Sequence, residues 1–520
     1  MSRGISIGVV GGGAAAVCLV DALARADGLP GELVVFEPTP HVWRGRAYQV
    51  DTEILRVNAT PEDMSVREGD GAHFRRWLAT RAGASTTGQD ADFRSAAYFP
   101  ARSLYGAYLE DSARAGLGEL RRRGWRVSVL GETVTAARRM PHQVLLSTGH
   151  GRKRCFDHVV LAVGAGGPQD VCGLRGAPGF LAEPYPLSTT LRTLADDDHV
   201  VVIGSGLTCV DIVLAIAARG HRGPVSVVSR AGVLPAVRQR PRSLDLRHLT
   251  PQRLMAVAAA SGGLTVDDVW GVARAEFREA GAAVHTVVDE IAGVRRDSAV
   301  DRLRRHLGAV DSPDLALRLL QHAIPSAGPT LWSLLREEEK GRILRRHRRT
   351  VMSLCCPMPP SSAAVLLALA ESGQLEVLAG LRGIRSRAAG GFEVEIAGRA
   401  RFGADKVVNA TSASPECFAA DARPLMSSLI RDRAVGRHPH GGLQLEPGSG
   451  RLVHDGIADR RLYALGSVAA GAQFFTFGIP VLVDQSRRIV AALQEPARRA
   501  APPRSGPVPR HGAGPLPVAR

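Results

Sequence analysis

The chain has 520 residues, is 45% apolar and 22% charged, and carries a formal net charge of +16. That length holds two or three domains with cores of their own, and no apolar run approaches the roughly 18 residues of a membrane span. The positive charge does not point to nucleic acid: all but three of the 66 basic side chains are arginine, and no nucleic-acid-binding motif accompanies them.

The first predicted elements lie in ISIGVVGGGAAAVCLVDALARADGLPGELVVFE, residues 5 to 37. One arginine precedes an apolar stretch, as in a secretory leader. The stretch is too glycine-rich for one and reads better as strand, turn and helix, so a cytoplasmic chain is expected. Gly11, Gly13 and Ala16 fit G-x-G-x-x-[GA] after a strand and before a helix. Gly11 permits the sharp turn, Gly13 lets a pyrophosphate approach the backbone, and Ala16 keeps helix and strand close. The free N–H groups at the helix start favour phosphate. Glu37 ends the next strand, where a carboxylate accepts ribose hydroxyls and repels a 2′-phosphate. FAD or NAD fits such a site, and its place at the start of the chain favours FAD by analogy of fold.

Further strands are predicted in WRVSVL (125–130), QVLLST (143–148) and HVVLAVG (158–164). Strands alternating with helical patterns indicate a parallel sheet. A second strand-turn-helix-strand begins at HVVVIG (199–204), with Gly204 and Gly206 in the glycine positions and Cys209 in the third. Glu37 stands 26 residues after Gly11, and Arg230 stands 26 residues after Gly204. The second unit therefore ends in Ser229-Arg230 where the first ends in an acid. A hydroxyl and a guanidinium there suit the 2′-phosphate of NADPH, and Arg238, Arg240 and Arg242 can add to the field. Two unlike dinucleotides in one chain imply hydride transfer from NADPH to FAD.

Residues 243 to 373 carry helical periodicity. The densest basic run, GRILRRHRR (341–349), reads as a solvated helix face, with attraction of an acidic substrate or of the NADPH phosphates as the alternative. Strand character returns in FEVEIAG (392–398), KVVNAT (406–411) and RLYALG (461–466). GRHPHGG (436–442) reads as a solvated loop, despite its paired His438 and His440. A helix is predicted over IPVLVDQSRRIVAALQ (479–494), with Pro480 in its first turn. Its positive end could face the flavin pyrimidine edge. Phe474, Phe475 and Phe477 could wall a pocket or simply pack a core. Seven scattered cysteines include no CxxC pair, which removes the dithiol of a flavin disulfide reductase. No metal-ligand spacing is present.

The expected fold is α/β: two dinucleotide-binding Rossmann-like domains, the second inserted in the first and carrying a largely helical insertion. Expected limits are 1–195 for the first part of the FAD-binding domain and 196–390 for the NADPH-binding domain. The return part takes 391–495, and 496–520 is a disordered Pro/Arg/Gly-rich tail.

GVVGGGAAAV, GRAYQ (45–49), LRVNATPEDMSV (55–66), YFPARSLYGAYL (98–109), LAVGAGGP (161–168), GSGLTCVD (204–211), SRAGVLP (229–235) and LYALG (462–466) together resemble a bacterial FAD/NAD(P)-binding flavoprotein family. It includes nitrosuccinate-forming aspartate N-monooxygenases and an FAD-dependent urate hydroxylase. The resemblance implies that Gly11, Gly13, Ala16 and Glu37 bind FAD, that Asn58 and Met64 lie near the flavin, and that Gly164 and Gly466 belong to later FAD contacts. Gly466 is followed by Ser467 where many flavoproteins have Asp. The resemblance further implies an NADPH-using monooxygenase that transfers oxygen through a flavin hydroperoxide to a small amine or amino acid. Alternatives are ring hydroxylation of the urate type, or an NADPH oxidase or reductase without substrate oxygenation. Small-molecule substrate and molecular oxygen are the expected partners, with neither nucleic acid nor membrane.

Overall fold

Short apolar runs, covered on both faces, build the two parallel sheets of the protein. Four of five residues are buried in the strand Ser6–Val10, and all five in Val225–Ser229. Strands enclosed this way read as unbroken apolar stretches, not alternating ones. The computed structural model describes residues 4–27, 30–81, 97–414, 418–476 and 478–500.

The first sheet has six strands, ordered Arg451–His454, Ile457–Ala464, His158–Leu161, Ser6–Val10, Glu32–Phe36 and Arg126–Leu130. All neighbours are parallel except the first pair. Helices Ala14–Arg25, Arg102–Arg122 and Ile479–Ala500 bury one face. The antiparallel strands Val134–Arg139, Val144–Thr148 and Lys153–Phe156 cover the other, with helix Arg423–Arg431.

The second sheet repeats the plan with five parallel strands: Leu375–Ala379, Val225–Ser229, Val200–Ile203, Lys406–Asn409 and Phe180–Leu181. Helices Leu207–Ala218, Pro360–Glu371 and Ala299–Gly308 lie on one face. A second antiparallel trio, Leu381–Ser386, Phe392–Ile396 and Phe402–Ala404, lies on the other. The protein is thus α/β with two dinucleotide-binding units. Ile457–Ala464 returns to pair with His158–Leu161, so the second unit is inserted in the first.

The limits differ from those expected. Phe180–Leu181 and the strands between 392 and 409 belong to the second sheet and its cover, not to the first domain. An apolar strand run does not say which of two like sheets it will join, and pairing across more than 200 residues decides it. The last helix continues to Ala500, into the segment expected to be tail, and residues 501–520 lie outside the described residues.

The helical insertion obeys local rules. Thr250 caps helix Pro251–Ser261 by accepting the Arg253 N–H, and Gly262 ends it in the left-handed conformation, φ 66°. Thr265 and Asp268 form a reciprocal capping box. Leu254, Phe277, Leu319 and Trp332 centre its core. Among the described residues, no helix is long and apolar enough to cross a membrane.

One buried ion pair joins the two units. Arg102, on a first-domain helix, places Nη1 2.6 Å from Oδ2 of Asp211, on the helix after the second glycine turn. Nη2 donates to Oδ1 at 3.1 Å, and Nε donates to the Arg56 carbonyl at 3.1 Å. The Tyr185 hydroxyl donates to Asp211 as well. Removing one partner of such a pair leaves the other charge buried alone. Asp211→Ala is therefore expected to destabilise the protein by roughly 3–5 kcal/mol, read as a lower thermal midpoint. The double variant Arg102→Met/Asp211→Leu should recover most of that loss; equal midpoints for the single and double variants would contradict the assignment.

Candidate cofactor-binding cleft

The two glycine turns are built alike, atom for atom. Gly11 has φ 104° and Gly204 φ 110°, a region that residues with a Cβ rarely adopt. A Cβ on Gly11 would lie 2.5 Å from the Ala162 carbonyl oxygen, and one on Gly204 would lie 2.6 Å from that of Ala410. The Ala162 N–H bonds the Val10 carbonyl at 2.8 Å, and the Ala410 N–H bonds that of Ile203 at 2.9 Å. Each turn is thus pressed against the end of the strand beside its own. Gly13 and Gly206 begin the helices with φ/ψ of −88°/−166° and −89°/−168°, and no side chain caps either helix. Ala16 and Cys209 are fully buried in the third place, where a small side chain lets the helix close on the sheet.

The tips differ in charge. Glu37 accepts the Gly12 N–H at 2.7 Å and the Thr39 N–H at 3.0 Å, which fixes its carboxylate beside the first turn with acceptor capacity to spare. Gly13 and Gly45 face each other closely: a Cβ on Gly13 would lie 3.5 Å from the Gly45 Cα. From the other side the approach is tighter, a Cβ on Gly45 (φ 56°) lying 3.3 Å from the Gly13 Cα. Gly466 (φ 77°) is close by, where an added Cβ would meet Ala15 at 3.6 Å. Its N–H is held by Gln485 Oε1 at 2.9 Å. Gly164 is exposed two residues beyond Ala162.

Between the units runs a cleft of about 2230 Å³. A pocket for one small ligand has roughly 300–1,000 Å³, so this one has room for more than one. Asn58 and Met64 line it, together with Gly478, Ile479 and Pro480 at the start of the last helix. Gly204, Gly206, Ser229 and Arg230 line it from the second unit. Gly11, Gly13, Ala16, Glu37, Gly164 and Gly466 are outside that lining.

Several expectations need correction. Ser229 does not present its hydroxyl: it is 4% exposed, accepts the Gly232 N–H at 2.9 Å and bonds Ser205 Oγ at 3.1 Å. Ser229 is the last, buried residue of its strand, and Arg230, just beyond it, is exposed. Arg238 reaches the first unit instead, donating from Nε to the Asn58 carbonyl at 2.7 Å, and Arg240 pairs with Asp311. His438 and His440 are not in a solvated loop. His438 Nδ1 accepts the His440 N–H at 3.1 Å, and His440 Nε2 lies 3.1 Å from Glu337, which also holds the buried Lys340 at 2.6 Å. This is a seam between the insertion and the return part. There Trp332 stacks on Phe474, ring centroids 4.6 Å apart, and donates its N–H to the Gly471 carbonyl at 2.9 Å. Phe475 packs against Gly328, whose added Cβ would lie 2.8 Å from the ring, and it lines the cleft. Phe477 lies outside the described residues.

Arg348 and Arg349, for which the sequence favoured a solvated face over attraction of an acidic substrate or of NADPH phosphates, line the cleft from the insertion. They belong to the basic run read as a solvated face. The available signal was two arginines at the start of a helix, where the dipole disfavours cations.

Residues 8–166 match an FAD-NAD(P)-binding family. No curated protein matches the sequence. In fold, the chain is similar to ornithine N-hydroxylase of Kutzneria sp. 744, with reduced FAD, NADP+ and L-ornithine (15% identity, 96% of this chain and 100% of that one, TM-score 0.56). It is also similar to L-lysine 6-monooxygenase of Pseudomonas syringae (16%, 94% and 99%, 0.58). A third likeness is to the cadaverine monooxygenase of Erwinia amylovora bound to FAD (12%, 99% and 100%, 0.51).

The seam has a pH signature. Burial pushes His438 down from 6.5 to about 4, and only a ring unprotonated at Nδ1 accepts the His440 N–H. Between those values the unfolded chain binds a proton that the folded chain refuses, so stability falls as pH drops through the window. Burial pushes His158 down to about 4 too, so His438 carries only part of the effect. Thermal midpoints measured from pH 7 to 4.5 should fall less steeply in His438→Gln than in the parent; parallel slopes would exclude the role.

Proposed function

We propose that the chain is an FAD-dependent, NADPH-using monooxygenase that oxygenates a small amine or amino acid at nitrogen. The observation that carries this reading is a pair of like-built nucleotide turns with tips of opposite charge, Glu37 beside the first and Arg230, on the cleft between the units, beyond the second. The residues present fit two different dinucleotides. Around the first turn, uncapped helix N–H groups, the close Gly13–Gly45 approach and the fixed Glu37 carboxylate suit the pyrophosphate and adenosine ribose of FAD. Arg230, at the end of the second unit, suits a 2′-phosphate that Glu37 would repel.

FAD, when bound, supplies two-electron redox chemistry and activation of oxygen. The chain's own side chains orient and enclose. Asn58 and Met64 on one side, and the first turn of helix Ile479–Ala500 on the other, flank the space for the flavin ring. The positive end of that helix would favour negative charge on a flavin held there. Trp332, Phe474 and Phe475 close the seam beside it and keep bulk water out. The proteins similar in fold are an ornithine N-hydroxylase, a lysine 6-monooxygenase and a cadaverine monooxygenase, which supports an amine substrate and nitrogen as the atom oxidised.

Anaerobic reduction followed at 450 nm tests the reading. The purified protein should be yellow, and NADPH should bleach it faster than NADH. In air, consumption of NADPH should exceed release of hydrogen peroxide once an accepted amine is added. Full recovery as peroxide across a panel of amines and amino acids would favour an oxidase, and product only with purine rings a ring hydroxylase.

Two variants divide the roles. Gly204→Ala drives a Cβ against the Ala410 carbonyl, so it should keep the yellow colour and lose reduction by NADPH. Gly478→Asp has steric room, its added Cβ lying 3.9 Å from the nearest atom. It should slow reduction about two- to fivefold, the size of a helix-end charge effect of about 0.3–1 kcal/mol. Unchanged kinetics in the folded variant would count against the helix-end role.

A further inference from the structure

The helical insertion places three arginines together with no acid among them. Helix Glu337–Arg346 follows the dipole rule, with three glutamates in its first turn and Arg345 and Arg346 in its last. The next helix, Arg348–Cys355, breaks it: Arg348 and Arg349 open its first turn, which holds no acidic residue. Both line the cleft, as does Arg230. Burial lowers the pKa of each, and the charges that lower it further are Arg230 for Arg348, and Arg230 and Arg348 for Arg349. Three guanidinium groups and a helix N-terminus thus repel one another at one end of the cleft. An arrangement so unfavourable when empty is relieved by an anion of high charge.

The backbone fixes this convergence. Leu234 to Arg238 follow Arg230 directly, and helix Arg348–Cys355 is stitched to them. The Ala236 N–H bonds the Ser353 carbonyl at 3.0 Å, the Met358 N–H bonds that of Ala236 at 2.8 Å, and the Arg238 N–H bonds that of Met358 at 2.9 Å. Ser353 Oγ donates to the Leu234 carbonyl at 2.7 Å. The last turn of the helix is thus tied to the segment that follows Arg230, and its first turn lines the same cleft as Arg230.

From this we infer that Arg348 and Arg349 complete, with Arg230, a clamp for the 2′-phosphate of NADPH, so that the insertion and not the glycine-turn unit alone sets the choice of NADPH over NADH. The inference rests on reading the second unit as the NADPH site. A 2′-phosphate is nearly a dianion and accepts several charge-assisted hydrogen bonds, which one exposed arginine cannot saturate. Ser229, buried and engaged by Gly232 and Ser205, leaves that task to guanidinium groups.

The test uses the FAD-loaded protein with two probes, 2′,5′-ADP and 5′-ADP, titrated by calorimetry, beside anaerobic reduction by NADPH and NADH. The variants are Arg348→Ala, Arg349→Ala and Arg349→Gln, with Arg346→Ala as an exposed control from the same basic run. Each clamp variant should weaken 2′,5′-ADP about tenfold or more, leave 5′-ADP within about twofold, and lower the NADPH-to-NADH preference in proportion. Arg346→Ala should change neither. Equal weakening of both probes, or an unaltered preference in folded variants, overturns the clamp. Indifference of the parent protein to the 2′-phosphate overturns instead the assignment of the second unit to NADPH, so the two failures are distinguishable.

Discussion

Everything that faces the cleft depends on two places where a backbone meets a backbone. At Gly11 and at Gly204 the chain turns within reach of the carbonyl that ends the strand beside it, at a distance no side chain permits. That contact sets where the following helix begins. The helix start in turn sets where free N–H groups point, and the strand beyond it leads into Glu37 in the first unit and Arg230 in the second. A glycine rule at two residues therefore fixes the position and direction of two binding surfaces, and the rest of the molecule arranges them relative to each other.

The arrangement is held at two points. Arg102 and Asp211 join a helix of the first unit to the glycine-turn helix of the second, out of water. At the far side, Trp332, Phe474 and the His440–Glu337 pair bind the insertion to the segment before the last helix. Phe474 carries strain there. Its φ of 52° and ψ of −58°, with the Phe475 N–H bonded to the Gln473 carbonyl at 2.6 Å, describe a γ-turn of the less common hand. Stacking on Trp332 offsets that cost.

Much of the fold was legible because it is written locally. The two strand-turn-helix units follow from glycine spacing and apolar runs, and the opposite tips are single residues, Glu37 and Arg230, at equal distances from their turns. What escaped notice depends on tertiary closure. FEVEIAG looks the same whichever sheet it covers. Ser229 and Arg230 are adjacent, and only the place where the strand ends decides that one is buried and the other exposed. His438 and His440 become a seam only because an insertion more than 100 residues long folds back onto them. The same return brings Arg348 and Arg349, separated from Arg230 by more than 100 residues, to its side.

That return path alters what the insertion is. A chain spliced from Val233 to Leu375 would keep both nucleotide turns, the strands of both sheets and the Arg102–Asp211 pair, but would uncover part of one face of the second sheet. It would lose the stacking partner of a strained aromatic residue and the indole that anchors Gly471. The segment leading into the last helix would then relax, and the flavin end would open to solvent. The helices are less an ornament on a nucleotide-binding scaffold than the fourth wall of its reaction chamber.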